Sequence, residues 1–140
     1  MFIDTHCHLN MMVQKERDQA LSVAQIEELS TVVADAQQVG LTHLINVGTT
    51  LTETHNCLAL ARRYDCVYAT AGIHPCDATS SWKRQLIDLT ALVREHRAKL
   101  VGIGETGLDY YHKPFDSAAQ AALFEGHIEL ALTHELPIVV

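Results

Sequence analysis

Five short apolar runs, separated by longer segments whose apolar residues recur at helical spacing, constrain this chain more than any other feature of its sequence. The runs are FIDTH at the start, HLINVG from His43, VYATAG from Val67, LVGIGE from Leu100 and LPIVV from Leu136. Their length and β-branched content predict strands. Between the first two, Ile26, Leu29, Val33 and Ala36 recur at helical intervals, and Gly40 follows where a helix end calls for a positive φ. After the second, Thr50-Leu51-Thr52-Glu53 fits a capping box, and Leu60, Ala61 and Tyr64 continue the helix. Leu86, Leu89, Leu92, Val93 and His96 form a third apolar stripe, and Phe124, Ile128, Ala131 and Leu132 a fourth. Strands joined by helices run parallel with right-handed crossovers, and helices must cover such a sheet. The expected order is therefore β-α-β-α-β-α-β-α-β, an α/β fold, and the pattern leaves open whether the sheet is doubly wound or curved toward a barrel.

Composition narrows the function classes. With 140 residues, 48% hydrophobic content and only 7 Gly and 3 Pro, collagen-like and low-complexity architectures drop out, and the length suits one domain. Asp+Glu 17 against Lys+Arg 10, a net charge of -7, argues against gripping nucleic acid through a basic face alone. A polyanionic substrate would need local help, such as bound metal. Cys7, Cys57, Cys66 and Cys76 form no C-x-x-C pair and lie in or beside apolar runs, which favours reduced thiols and a cytoplasmic setting. The segment MFIDTHCHLN lacks the pattern of a signal peptide, and no apolar stretch reaches the ~18 residues of a membrane span.

The chemistry-bearing segment is Asp4-Thr5-His6-Cys7-His8. Side chains alternate along a strand, so His6 and His8 share a face at the strand's C-terminal end, close enough to chelate one cation. Asp4 shares that face and is a candidate to orient an imidazole, while Cys7 points the other way as a packing residue. Alone, a His-x-His pair is read equally well as two hydrogen-bonded histidines. A carboxylate, Glu105, ends the fourth run within Gly102-Ile103-Gly104-Glu105-Thr106-Gly107-Leu108-Asp109, where parallel sheets place working groups, and it could bridge two cations. The alternative is an exposed loop glutamate, against which the surrounding glycines suggest a backbone packed closely around something. His74, in Gly72-Ile73-His74-Pro75, ends the third run on the same rim, either to contact a phosphate and move a proton or simply to cap the strand. Together these groups fall at the C-terminal ends of parallel strands. Their mixed imidazole and carboxylate donors suit Zn²⁺ or Mn²⁺, with Mg²⁺ possible where carboxylates and water dominate.

On F-I-D-T-H-C-H-L-N, I-N-V-G-T, A-G-I-H-P and V-G-I-G-E-T-G-L-D-Y-Y, followed by a helix and L-P-I-V-V, the chain resembles the TatD family of metal-dependent hydrolases. The resemblance implies the N-terminal part, about five strands, of a TIM-like (β/α)8 barrel, with residues 1–140 as a single incomplete domain ending in strand 5. It implies two divalent cations, with His6 and His8 binding one and Glu105 bridging to the second. A metal-activated water would then attack a phosphodiester of nucleic acid, DNA ahead of RNA. His74 becomes a catalytic or substrate-side residue and Asp109 a support for the site loop. Cys76 departs from the histidine that family members often carry there, and Met11 to Ala24 is a long first loop. The resemblance places the family's later ligands, two histidines and an aspartate, beyond this stretch, so none is carried over to a residue here; His127 and His134 fall on a helix away from the rim, and His43, His55, His96 and His112 read as surface or packing residues. Two rivals stand beside this expectation: a non-catalytic half-barrel that pairs its exposed edge with another chain, and an amidohydrolase-like enzyme cleaving C–N bonds. Glu105, in place of a bridging lysine, weighs against the second.

Overall fold

The computed structural model describes all 140 residues. Four strands, β1 (Phe2–Cys7), β2 (Leu41–Asn46), β3 (Val67–Ala71) and β4 (Leu100–Ile103), form one sheet in chain order, every neighbouring pair parallel. The connections carry α1 (Val23–Glu28) and α2 (Ser30–Gln38), then α3 (Leu51–Arg63), α4 (Trp82–Glu95) and, after β4, α5 (Ser117–His134). Sequential parallel pairing with a helical crossover after each strand is the α/β arrangement expected from the alternating pattern.

The core joins strand residues Leu44, Val67, Ala69, Ala71, Leu100 and Ile103 to Leu29, Val33, Leu58, Leu60, Leu89, Val93, Leu123 and Leu130 from the helices. Each fully buried Leu or Ile there contributes about 1.5–3 kcal/mol relative to exposure. β3 and β4 lie deep in this core, whereas β1 leaves Phe2 and Ile3 more than half exposed.

Three details differ from expectation. The first helical segment breaks at Leu29, which is fully buried, and α1 begins at a capping box of Ser22 and Gln25. In α5 the buried residues are Ala119, Gln120, Leu123, Gly126, His127, Leu130 and Ala131, while Ile128 and Leu132 are exposed. The helix is rotated because Gly126 lies against Leu86; a Cβ there would come within 2.3 Å of the leucine side chain. Finally, the run from Leu136 contributes one parallel bridge, Ile103 to Ile138, in place of a full fifth strand. The Ile103 amide donates to the Pro137 carbonyl and the Val139 amide to Ile103, but Pro137 itself has no N–H to extend the ladder.

Candidate active site

β1 ends at Cys7, and His8 opens a 3-10 turn over Leu9–Met12. The His6 and His8 rings lie edge to face, their centroids 5.2 Å apart. Their Nε2 atoms converge on one carboxylate oxygen, Glu105 Oε2, at 3.5 and 3.7 Å. The other oxygen, Oε1, lies 3.9 Å from Nε2 of His74. These separations exceed a hydrogen bond but match the roughly 3.4 Å between two ligand atoms that share a cation with bonds of about 2.0–2.2 Å. The donor set therefore fits a divalent cation. Cys7 turns away, its Sγ donating to the Ile45 carbonyl, and burial pushes its thiol up to about 12. Asp4 accepts from the backbone N–H of His6, so it shapes the strand end and not an imidazole.

Close backbone approach brings the rim residues together. A Cβ on Gly72 would lie 2.2 Å from the carbonyl carbon of Gly104, so glycine at 72 lets the turns after β3 and β4 touch, carrying His74 beside Glu105. The glycines near Glu105 thus pack against neighbouring backbone: Gly104, at φ +138°, has no room for a Cβ beside Val139. The Glu105 amide donates to Gly48, the His74 amide to Thr49 and the Gly104 amide to Ala71, so three strand ends lace into one rim. Beneath it, buried His127 accepts from the Ile73 amide through Nε2 and donates through Nδ1 to the Leu123 carbonyl. Burial lowers its pKa and keeps the ring neutral, so this helix histidine, away from the rim as expected, props the turn carrying His74.

His74 Nδ1 accepts the Cys76 amide at 3.2 Å, which puts the neutral ring's proton on Nε2, facing Glu105. A cleft of about 390 Å³ opens here, lined by His8, Met11, Arg17, Thr49, His74, Cys76, Glu105 and His112. Asp109 organises its far wall: Oδ1 accepts from the amides of Tyr111 and His112, and Oδ2 from His112 Nδ1 at 2.7 Å and from the Cys76 thiol. The His112 bonds, foremost, hold the carboxyl well below the usual carboxylate range. His112, expected as a surface or packing histidine, is exposed yet borders the cleft.

Arg17 and Thr49 had no sequence signal of their own, and Glu53 had only its cap motif. Arg17 reaches the cleft from the first loop and pairs with Asp77. Thr49 is buried with its hydroxyl unpartnered. Glu53 forms only half the expected capping box: Thr50 Oγ1 accepts the Glu53 amide, while the Glu53 carboxylate accepts from Asn10, Gln14, Asn56 and the Asp18 amide. That carboxylate latches the long first loop, which is how a polar segment of this length stays folded over the site.

The family model described as TatD related DNase matches residues 3–140. The 3'-5' ssDNA/RNA exonuclease TatD of Edwardsiella piscicida is 39% identical over 112 residues, covering 79% of this chain and 42% of that protein. An uncharacterized metal-dependent hydrolase of Buchnera aphidicola is 25% identical over 142 residues, covering 99% of this chain and 51% of its own length. The crystal structure of YjjV, a TatD homolog from Escherichia coli K12, superposes with a TM-score of 0.78 at 28% identity, covering 98% of this chain and 49% of that one. The chain thus spans about half the length of these relatives or less. No helix is long and apolar enough to cross a membrane. The family match along nearly the whole chain, with the parallel α/β fold it shares with YjjV, establishes that this chain belongs to the TatD related DNase family.

Proposed function

We propose that the protein carrying this chain hydrolyses phosphodiester bonds of nucleic acid, DNA ahead of RNA, with two divalent cations drawn from Zn²⁺, Mn²⁺ or Mg²⁺. The reading takes residues 1–140 as the N-terminal, incomplete part of a (β/α)8 barrel, and a cytoplasmic setting suits its four free thiols. The observation that carries it is the convergence of His6 and His8 on one oxygen of Glu105, with His74 facing the other. His6, His8 and Glu105 would hold one cation, and Glu105 is the carboxylate available to a second. Bound there, divalent cations lower the pKa of water and offset charge on the scissile phosphate, chemistry an acidic protein needs for an anionic substrate.

The remaining steps belong to the chain's own side chains. His74, with its proton on Nε2, donates a hydrogen bond to a phosphate oxygen and so holds it beside Glu105. The unpartnered Thr49 hydroxyl and the Arg17 guanidinium border the same cleft and orient the phosphate. Asp109 and His112 keep the opposite loop folded. The exonuclease name of the Edwardsiella relative supports a nucleic-acid substrate, and the Buchnera relative's name supports metal dependence.

End-labelled single-stranded DNA, single-stranded RNA and small amides, each incubated with Mn²⁺, Mg²⁺ or Zn²⁺, test the proposal. Nucleotide release that a chelator stops and that His6→Ala or His8→Ala abolishes is the expected result. Amide cleavage alone, or no metal-dependent hydrolysis of any substrate, overturns it in favour of a C–N hydrolase or an interaction module.

A further inference from the structure

A second group of potential ligands lies beside the first. His74 and Cys76 come from the turn after β3 and Asp109 from the segment after β4, and one ligand atom from each lies within 4.8 Å of the other two. All three are held in place: the Cys76 amide donates to His74 Nδ1, the Tyr111 and His112 amides donate to Asp109, and the Asp109 amide and carbonyl are both bound by Gln120. Gln120 is itself buried and also reaches the Pro75 carbonyl, so one side chain ties the two loops together. Only a weak S–H···O contact of 3.4 Å joins sulfur to carboxylate. His112 Nδ1, at 2.7 Å from Asp109 Oδ2, fixes that carboxylate from behind, the relation that outer partners of metal-binding carboxylates have.

We propose that His74, Cys76 and Asp109 form a separate thiolate-containing site for a borderline-soft divalent cation of the Zn²⁺ type. One nitrogen, one sulfur and one oxygen donor leave a fourth tetrahedral position to water, the pattern of an open Zn²⁺ site, and a hard cation such as Mg²⁺ has little use for the sulfur. Cys76 is exposed on the cleft wall, so an ion reaches it directly. Binding displaces the thiol proton to solvent and moves the ring lone pair of His74 from the Cys76 amide to the cation. Either partner on Nδ1 leaves the His74 proton on Nε2, toward Glu105, so this additional ion would hold the cleft-facing donor in one tautomer. The site requires no assumption about the bond hydrolysed.

Sulfur makes the site testable apart from its neighbour, since His6, His8 and Glu105 contain none. Co²⁺ titrated into the metal-free protein should produce a near-ultraviolet thiolate-to-cobalt absorption at one equivalent. That absorption should persist in the His6→Ala/His8→Ala double variant and vanish in Cys76→Ser. In the unsubstituted protein, Zn²⁺ should slow alkylation of Cys76 at least about tenfold, read by peptide mass, while Mg²⁺ should not. No thiolate absorption at saturating Co²⁺, absorption that survives Cys76→Ser, or alkylation of Cys76 indifferent to Zn²⁺ would each overturn the proposal.

Discussion

Glu53, in the first turn of α3, and Glu105, in the turn after β4, are two carboxylates furnished in opposite ways. Glu53 is fully buried, and its oxygens accept from Asn10 at 2.5 Å, Gln14 at 2.9 and 3.1 Å, the Asp18 amide at 2.7 Å and Asn56 at 3.1 Å. Glu105 is partly exposed and accepts no hydrogen bond; it faces three imidazole nitrogens at 3.5, 3.7 and 3.9 Å. A carboxylate whose lone pairs are filled by amides serves the fold. One whose lone pairs accept no hydrogen bond, beside the Nε2 atoms of His6 and His8, is arranged for a ligand. Sequence alone points the same way, since Glu53 carries a cap motif and Glu105 ends an apolar run among glycines, but it shows none of the partners that make the difference.

The contrast breaks most sharply at Glu105 itself. Glu105→Gln should lower kcat/KM of the whole enzyme by at least about 10³-fold, about 4 kcal/mol, while leaving the urea unfolding midpoint within error. Equal losses of stability and activity would show that Glu105 supports the fold as Glu53 does. Glu53→Ala should do the reverse, costing about 3 kcal/mol of unfolding free energy, because it strands four donors that the carboxylate now satisfies. Proteolysis within residues 11–21 should quicken in the same variant, an outcome that a purely helix-capping role for Glu53 would not produce.

Histidines repeat the contrast on a smaller scale. His127 has both ring nitrogens bonded, whereas His8 Nδ1 is buried without a partner. Burial depresses the pKa of His127 from 6.5, so the unfolded chain takes up a proton before the native protein does. Its contribution to stability is complete above pH 6.5 and is lost as pH falls through the native value. Unfolding free energy should therefore decline between pH 7 and pH 5, and His127→Gln should flatten that decline. The smallest effect is expected at Thr49: Thr49→Val should raise KM for an oligonucleotide about tenfold with kcat nearly unchanged, as loss of one hydrogen bond to a charged phosphate, about 1.5 kcal/mol, implies.

The strand and helix order was legible because apolar spacing follows directly from the geometry of strands and helices. The rim was legible for the same reason: His6, His8, His74 and Glu105 each close an apolar run, and parallel strands deliver those positions to one end of the sheet. What remained illegible depended on long-range contacts. The rotation of α5 follows from Gly126 meeting Leu86, a contact between two helices that neither helix's periodicity contains. Glu53 obeys a local capping rule by its backbone while its carboxylate answers donors more than thirty residues away in sequence. The fifth run was legible as apolar, yet its ladder depends on the register of Pro137 against Ile103, which composition does not encode. His112 and Arg17 lie in polar loops, where nothing in the spacing distinguishes a cleft wall from open surface.

On the proposed reading, His6, His8 and Glu105 form a cation site and not a hydrogen-bonded cluster. Crystals grown with Mn²⁺ and measured for anomalous scattering test it most directly. The expected result is an anomalous peak between the two Nε2 atoms and Glu105 Oε2, absent in His6→Ala/His8→Ala crystals. A Mn²⁺-saturated crystal with no peak there, and with the imidazoles hydrogen-bonded to Glu105, would contradict it.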